Sequence, residues 1–291
     1  MRMTRKALTL SAAVGTVAVA AALIPFATAS AAPAASPATA GVVPTPAHVV
    51  VVMEENHSYS DIIGSSSAPY INSLASSGAL LTDSFGVTHP SEPNYMALFG
   101  GSTFGLTSDA CPTNEGAKAN LGSELLAAGK TFKGYSESMP SDGYTGCSSG
   151  QYQRKHNGWV NFSNVPAASN LRYADFPAST NYASLPTVSF VTPNMCNDMH
   201  DCSVGTGDTW LKNNLTAYAT WAKTHNSLLI ITFDEDNGGS SNHIFTAFVG
   251  AHTQVGTFSN QINHYNVLST IESSYGLTHL NSAAAVTNVW N

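Results

Sequence analysis

Four short apolar runs, at residues 48–53, 188–192, 228–233 and 245–249, have the composition of strands buried on both faces. Three of them run straight into polar clusters. The first delivers Glu54, Glu55 and Asn56; the second delivers Asn194 and then Asp198-Met199-His200-Asp201; the third delivers Asp234, Glu235 and Asp236. Between the runs the apolar period lengthens to that of a helix. At 209–223, Leu211, Leu215, Tyr218, Ala219 and Ala222 fall on one face, and a second helical pattern at 265–275 stops at Gly276, a normal residue just past a helix end. Shorter candidates lie at 68–77 and 122–128. Strands alternating with helices predict an α/β domain with a parallel or mixed sheet covered on both sides. In such sheets sites form at the carboxyl ends of strands, so the polar clusters should converge. Residues 102–185, rich in Gly, Ser, Asn and Tyr and weakly periodic, read as a loop-rich insertion over that site.

The beginning of the chain follows another pattern. Arg2, Arg5 and Lys6 precede an apolar run from Ala7 to Phe26, and Ala29-Ser30-Ala31 follows at once. These are the marks of a secretory signal peptide, residues 1–31, cut after Ala31. Residues 32–46 are mostly Ala, Pro, Ser and Thr, too poor in large apolar side chains to order themselves, and predict a disordered tether. Residues 47–291 show no second break and no repeat, which fits one domain. No later stretch is apolar enough to span a bilayer, so the expected product is extracellular, with no stable membrane insertion.

Without Arg2, Arg5 and Lys6, eight basic residues face 18 acidic ones, which argues against nucleic acid as a partner. Six of the eight (Lys118, Lys130, Lys133, Arg154, Lys155 and Arg172) lie between 118 and 172, and could form a surface for an anionic substrate or simply face water. Four cysteines in an exported chain suggest disulfides, with the local pairs Cys111–Cys147 and Cys196–Cys202 preferred. A zinc site is the competing reading, but no Cys-x-x-Cys pair is present.

The segment Thr88-His89-Pro90-Ser91-Glu92-Pro93-Asn94-Tyr95 leads into Met96-Ala97-Leu98-Phe99 and stops at Gly100-Gly101, which makes Ser91 the first residue of a short helix. Backbone N–H groups and the positive end of the helix then lie beside its hydroxyl, which suits a nucleophile attacking phosphate. A helix cap is the plain alternative. Serine needs a base or a metal to become nucleophilic. Glu55, Asn56, Asp234 and Glu235 offer an all-oxygen donor set suited to one divalent cation such as calcium, magnesium or manganese, with zinc or iron still open. Glu54 and Asp236 should point away from this cluster or support it. Histidines 89, 200, 243 and 264 sit next to predicted strand ends or helix starts. The Cys196–Cys202 ring would hold Asp198, His200 and Asp201 rigid. His200 or His243 could protonate the leaving group, and His89 and Asp201 are candidates to touch substrate.

Four segments in order, Val-Met-Glu-Glu-Asn-His-Ser-Tyr (52–59), His-Pro-Ser-Glu-Pro-Asn-Tyr (89–95), Thr-Pro-Asn-Met-Cys-Asn-Asp-Met-His-Asp (192–201) and Thr-Phe-Asp-Glu-Asp (232–236), resemble the bacterial phosphoesterase family of acid phosphatases and phospholipases C. That family is a branch of the alkaline phosphatase superfamily. The resemblance implies a three-layer α/β/α sandwich, a phosphoseryl intermediate on Ser91, and metal ligation by Glu55, Asn56, Asp234 and Glu235. The Ser91 segment also resembles nucleotide pyrophosphatases, where the residue matching Asn94 binds phosphate, so Asn94 is an implied phosphate ligand. Glu235 stands where a two-zinc alkaline phosphatase site would draw a histidine, which implies one metal. Ser91-x-Pro93 fits the sulfatase motif, but Tyr95 replaces its arginine, which counts against sulfatase chemistry.

Shorter secreted members of the family resemble acid phosphatases acting on monoesters, including phosphoinositides such as phosphatidylinositol 3-phosphate, while the phospholipases C are longer. A monoesterase is therefore the expected function. A phosphodiesterase or phospholipase C is the alternative, and a noncatalytic exported binding protein a second one. The expected partner is a phosphorylated small molecule or a phosphoinositide head group. The run Arg154-Lys155-His156 could contact that head group or face water, and the oligomeric state stays open.

Overall fold

A strand with no polar face must be covered on both sides, and β1 (His48–Glu54) shows how. In this computed structural model, which describes residues 41–239 and 241–291, Val49, Val51 and Met53 enter one core while Val50 and Val52 enter another. The signal peptide and residues 32–40 of the tether expected from the sequence lie outside the described residues.

The chain continues through α1 (Tyr59–Ile62), α2 (Pro69–Ser76), β2 (Ala79–Phe85), α3 (Ser91–Gly100), α4 (Leu121–Ala127), β3 (Phe132–Ser136), the hairpin β4 (Ser148–Ser149) and β5 (Tyr152–Gln153), and β6 (Asn170–Arg172). Then follow β7 (Val188–Thr192), α5 (Val204–Ala222), β8 (Ser227–Phe233), β9 (His243–Gly250), β10 (Gly256–Phe258), β11 (Ile262–Asn263) and α6 (His264–Tyr275). The first core joins the sheet to α3, α4 and α6 through Met96, Phe99, Leu125 and Leu268, and the second joins it to α2 and α5 through Ile71, Leu74, Leu211 and Tyr218. Each large aliphatic side chain buried in this way contributes about 1.5–3 kcal/mol. The result is the three-layer α/β/α sandwich.

The sheet order is β10-β2-β9-β8-β1-β7-β3-β6, with β11 also paired to β2. β8, β1, β7, β3 and β6 are mutually parallel, and β9 is antiparallel to both β8 and β2. The carboxyl ends of β1, β2, β7 and β8 therefore share one edge.

Each of the four apolar runs is a strand, lengthened by at most three residues. α5 starts five residues earlier than its apolar pattern, because Ser203 Oγ accepts from Thr206 N and caps the helix there. Gly205 and Gly207 have no side chains to continue the pattern. A Cβ on Gly207 would lie 2.4 Å from Met199, so close packing requires glycine. β2 carries Thr82, Asp83 and Ser84, and β3 carries Lys133 and Gly134, so neither shows an unbroken apolar run. α4, β3 and β6 all fall inside 102–185 and belong to the sandwich; only the rest of that segment is the loop-rich insertion.

Both preferred disulfides are present, Cys111–Cys147 and Cys196–Cys202. No free cysteine remains for zinc among the described residues. The last tether residues lie against the domain: Thr45 O accepts from Asn226 Nδ2 (3.2 Å) and Pro46 O from Tyr275 Oη (3.1 Å). Among the described residues no helix is long and apolar enough to cross a membrane.

Candidate active site

Glu54 on β1 stands opposite Phe233 on β8 in a parallel register, so the residues that follow, Glu55 and Asp234, emerge as neighbours. Asp234 N donates to Glu54 O (2.9 Å), and Asn56 N to Asp234 Oδ1 (3.0 Å). Asn56 adopts φ 57°, a left-handed conformation that asparagine tolerates. β2 ends at the same edge, and the loop after it delivers Ser91 to the start of α3.

Ser91 is buried, and its Oγ donates to Glu55 Oε2 (3.0 Å), with Glu235 Oε1 at 3.4 Å. One turn later on the same helix face, Tyr95 Oη donates to Glu55 Oε1 (2.5 Å). Asn56 Nδ2 donates to Glu55 Oε2 (3.2 Å). His89 Nδ1 pairs with Glu235 Oε2 (2.7 Å), and its Nε2 lies 3.5 Å from Asp236 Oδ1. The four residues expected to hold a metal are thus brought together around Ser91. Glu54 is fully buried apart from them, and Asp236 braces its own turn through Gly239 N (2.7 Å).

Crowding acid groups out of water raises their pKa values. Burial, then the Asp234 and Asp198 charges, push Glu55 well above the usual range. Asp234 is raised to about 8 by burial and then by Glu235, and burial raises Asp198 to about 7. Burial also raises Glu235. Among the described residues no group of three or more His, Cys, Asp or Glu side chains forms a ready-made metal shell. The Glu55 and Glu235 oxygens are turned instead toward Ser91, Tyr95, Asn56 and His89.

His156 joins this cluster, a place its sequence context did not reveal. It is 1% exposed and stacks on Tyr95 with ring centroids 5.1 Å apart, its Nε2 lying 3.2 Å from Glu55 Oε1 and its Nδ1 3.2 Å from Asp198 Oδ2. The contacts are misaligned for hydrogen bonds, so among the described residues Nε2 and Asp198 Oδ2 stay unpartnered. Burial pushes the imidazole well below its ordinary pKa. Asp198 O in turn accepts from Glu55 N (2.8 Å), tying the disulfide ring to β1. Three consecutive basic residues carry no pattern that marks His156; the 3-10 turn at Arg154–His156 buries residues 154 and 156.

Several candidates have other work. Asn94, implied as a phosphate ligand, is fully buried; its Oδ1 accepts from Val87 N and Thr88 N, and its Nδ2 donates to Thr88 O and Pro90 O. Its amide therefore shapes the loop before Ser91. His243 pairs through Nε2 with Thr82 O (2.9 Å) and stacks on Tyr59 and Phe85, so nothing directs it toward Ser91. His264 Nε2 bonds Asp234 O (2.6 Å) and steadies that strand end. His200 stays near the cluster, its ring 6.0 Å from that of His156, with Nδ1 paired to Asp201 Oδ1 (2.8 Å).

Arg154 does not face a head group. Its guanidinium donates to Thr113 O (2.7 Å), Thr145 O (2.8 Å) and Asn161 Oδ1 (3.0 Å). Arg154→Ala strands these acceptors and should cost about 2–4 kcal/mol, read as a fall in thermal midpoint. The ratio of phosphoinositide to aryl phosphate hydrolysis should not change; a changed ratio with an unchanged midpoint would return Arg154 to the substrate.

The described residues thus form a mixed sheet covered on both faces by helices, with a buried serine–carboxylate cluster at its strand-end edge. The fold is shared with an alkaline phosphatase superfamily protein from Vibrio parahaemolyticus (TM-score 0.57, 12% identity, 81% of this chain and 68% of that one). It is shared also with the lipoteichoic acid synthase LtaP from Listeria monocytogenes (TM-score 0.60, 10% identity, 86% and 78%). The chain belongs to the Phosphoesterase family, whose model matches residues 65–278. It is 57% identical to a phosphatidylinositol-3-phosphatase from Mycobacterium tuberculosis over 86% of this chain and 85% of that one. It is 33% identical to a phosphate-repressible acid phosphatase from Penicillium chrysogenum over 72% of this chain and 55% of the fungal enzyme. The protein is a phosphoric monoester hydrolase.

Proposed function

We propose that this hydrolase is exported and cleaves monoesters through a phosphoserine at Ser91, with phosphoinositides among its substrates. The observation that carries the reading is the Ser91 hydroxyl, held at a helix start by Glu55 with Glu235 beside it. A serine acting only as a cap would spend its hydroxyl on the helix, but the cap position belongs to Pro90. The identity to an enzyme named phosphatidylinositol-3-phosphatase supports the phosphoinositide. The signal peptide pattern and the two disulfides support export.

Glu55, Asn56, Asp234 and Glu235 fit a single divalent cation: their donors are oxygens, and Asp234 Oδ2 is buried with no hydrogen-bond partner among the described residues. A cation there would lower the pKa of the serine hydroxyl and neutralise charge on a phosphoryl oxygen. In the first step Ser91 Oγ bonds to phosphorus as the ester P–O bond breaks, and the serine proton passes to Glu55. The Ser91 N–H and the α3 dipole face the oxygens that gain charge. His200, oriented by Asp201, gives the leaving alcohol its proton, and His89 approaches the phosphoryl group. Water then cleaves the phosphoserine.

Acid quenching during turnover of a 32P-labelled monoester should leave label on the peptide containing Ser91. Single-turnover release of all label with none on protein would overturn the covalent route. Parallel rates on phosphatidylinositol 3-phosphate, an aryl monoester and an aryl diester separate the substrate classes.

A further inference from the structure

The start of α3 carries a carboxylate beside the nucleophile. Ser91 and Glu92 open the helix and Pro93 has no N–H, so only two backbone donors of the first turn lack a helical partner. Glu92 N donates to Asp109 Oδ1 (2.9 Å), and Asp109 Oδ2 accepts from Lys155 Nζ (2.9 Å). One carboxylate therefore bridges a helix N–H and an ammonium next to Ser91, and Lys155 adjoins His156 of the cluster.

The other basic side chains of 118–172 are engaged elsewhere. Arg154 clamps backbone carbonyls, Lys118 pairs with Glu115, Arg172 with Asp142, Lys133 bonds Ala168 O, and Lys130 lies over Tyr275. Burial alone would lower the Lys155 pKa, but the Asp109 hydrogen bond and the Glu55 charge raise it, and burial of Asp109 is outweighed by the Glu92 N–H and Lys155, which hold it low. Both groups are therefore charged.

We propose that Lys155 and the Glu92 N–H bind the doubly charged phosphoryl group of a monoester, and that Asp109 is an internal stand-in that gives up both contacts to substrate and regains them as phosphate leaves. This deepens the Ser91 reading and rests on it. A phosphate dianion carries more charge than a carboxylate and can displace it, whereas a diester monoanion has no such advantage. Lys155 thereby favours monoesters over diesters. Asp109 is 27% exposed, so its side chain can turn outward while the nearby Cys111–Cys147 bridge keeps the backbone in place.

The test compares wild type with Lys155→Met, Lys155→Arg and Asp109→Asn, using inorganic phosphate as competitive inhibitor and 4-nitrophenyl phosphate against bis(4-nitrophenyl) phosphate as substrates. Lys155→Met should weaken phosphate inhibition and raise monoester KM by about 10- to 100-fold, the worth of a charge-assisted contact. Diester hydrolysis should change much less, and Lys155→Arg should recover part of the monoester preference. Asp109→Asn still caps Glu92 N through its amide oxygen but removes the competing charge, so phosphate should inhibit roughly 3- to 10-fold more tightly. Equal losses on both ester classes, or weaker phosphate binding by Asp109→Asn, overturn the proposal. If Lys155→Met fails to fold, Asp109→Asn alone decides it. Phosphate binding to Ser91→Ala by calorimetry, repeated with each second substitution, judges Lys155 and Asp109 even if Ser91 proves not to be the nucleophile.

Discussion

Ser91→Ala lowers kcat for an aryl phosphate by roughly 10³-fold or more, the scale on which enzymes lose rate when a covalent nucleophile is removed. The loss should fall on kcat and leave KM nearly unchanged, because the helix N–H groups and the residues proposed to ligate a cation remain. Folding should survive. The Oγ contributes one hydrogen bond to Glu55, which keeps its bonds from Tyr95 and Asn56, so the thermal midpoint should move by only a few degrees. Steady-state kinetics beside a melting curve check both halves. Turnover within tenfold of wild type would remove Ser91 from the reaction and transfer the role to another group.

Chelator at pH 8 lowers the melting midpoint by roughly 5 °C or more, and has much less effect at pH 5. The reason is the acid cluster. In the folded protein Asp234 is raised to about 8 and Asp198 to about 7, chiefly by burial, against 3.8 for an ordinary aspartate. Groups raised in this way favour folding most below the unfolded pKa, and that contribution is lost as pH rises through the folded value. Without a cation, stability therefore falls between about pH 4 and pH 8. A divalent ion held by these carboxylates would do the work of the missing protons at high pH and flatten the curve. The full shift at Asp234 corresponds to no more than roughly 6 kcal/mol, and a third of that suffices for the stated change in midpoint. Melting from pH 5 to 8.5, with chelator and then with excess manganese or calcium, measures it. A chelated protein that gains stability with pH, or ignores added cation, would sink the ligand assignment. Asp234→Asn should flatten the chelated profile and abolish turnover.

The sequence was sufficient for those parts of the molecule whose physics is local. Val49–Met53 and Leu228–Ile231 have no polar residue to turn toward water on either face, so they had to be interior strands. The acids after them had to lie at strand ends. Gly276 had to end a helix, and the two short cysteine separations pointed to local pairs. Ser91, Glu55, Asn56, Asp234 and Glu235 could be grouped from these signals because each follows directly from where its own segment stops.

What the sequence could not supply depends on neighbours distant along the chain. Only the order β9-β8-β1-β7 sets Glu55 beside Asp234, and only the antiparallel course of β9 brings the end of β2, and hence Ser91, to the same edge. β3 hides because Gly134 packs against Trp159 instead of carrying its own apolar side chain. Arg154-Lys155-His156 could be read as a head-group contact or as a run facing water, yet the fold sends Arg154 into backbone carbonyls, Lys155 to Asp109 and His156 between Glu55 and Asp198. Asn94 and His243 seemed free to meet substrate until the loop carbonyls and amides they serve were placed around them. Hydrophobic pattern is a property of a segment, but hydrogen-bond partnership is a property of two, and the second partner is assigned only when the chain folds.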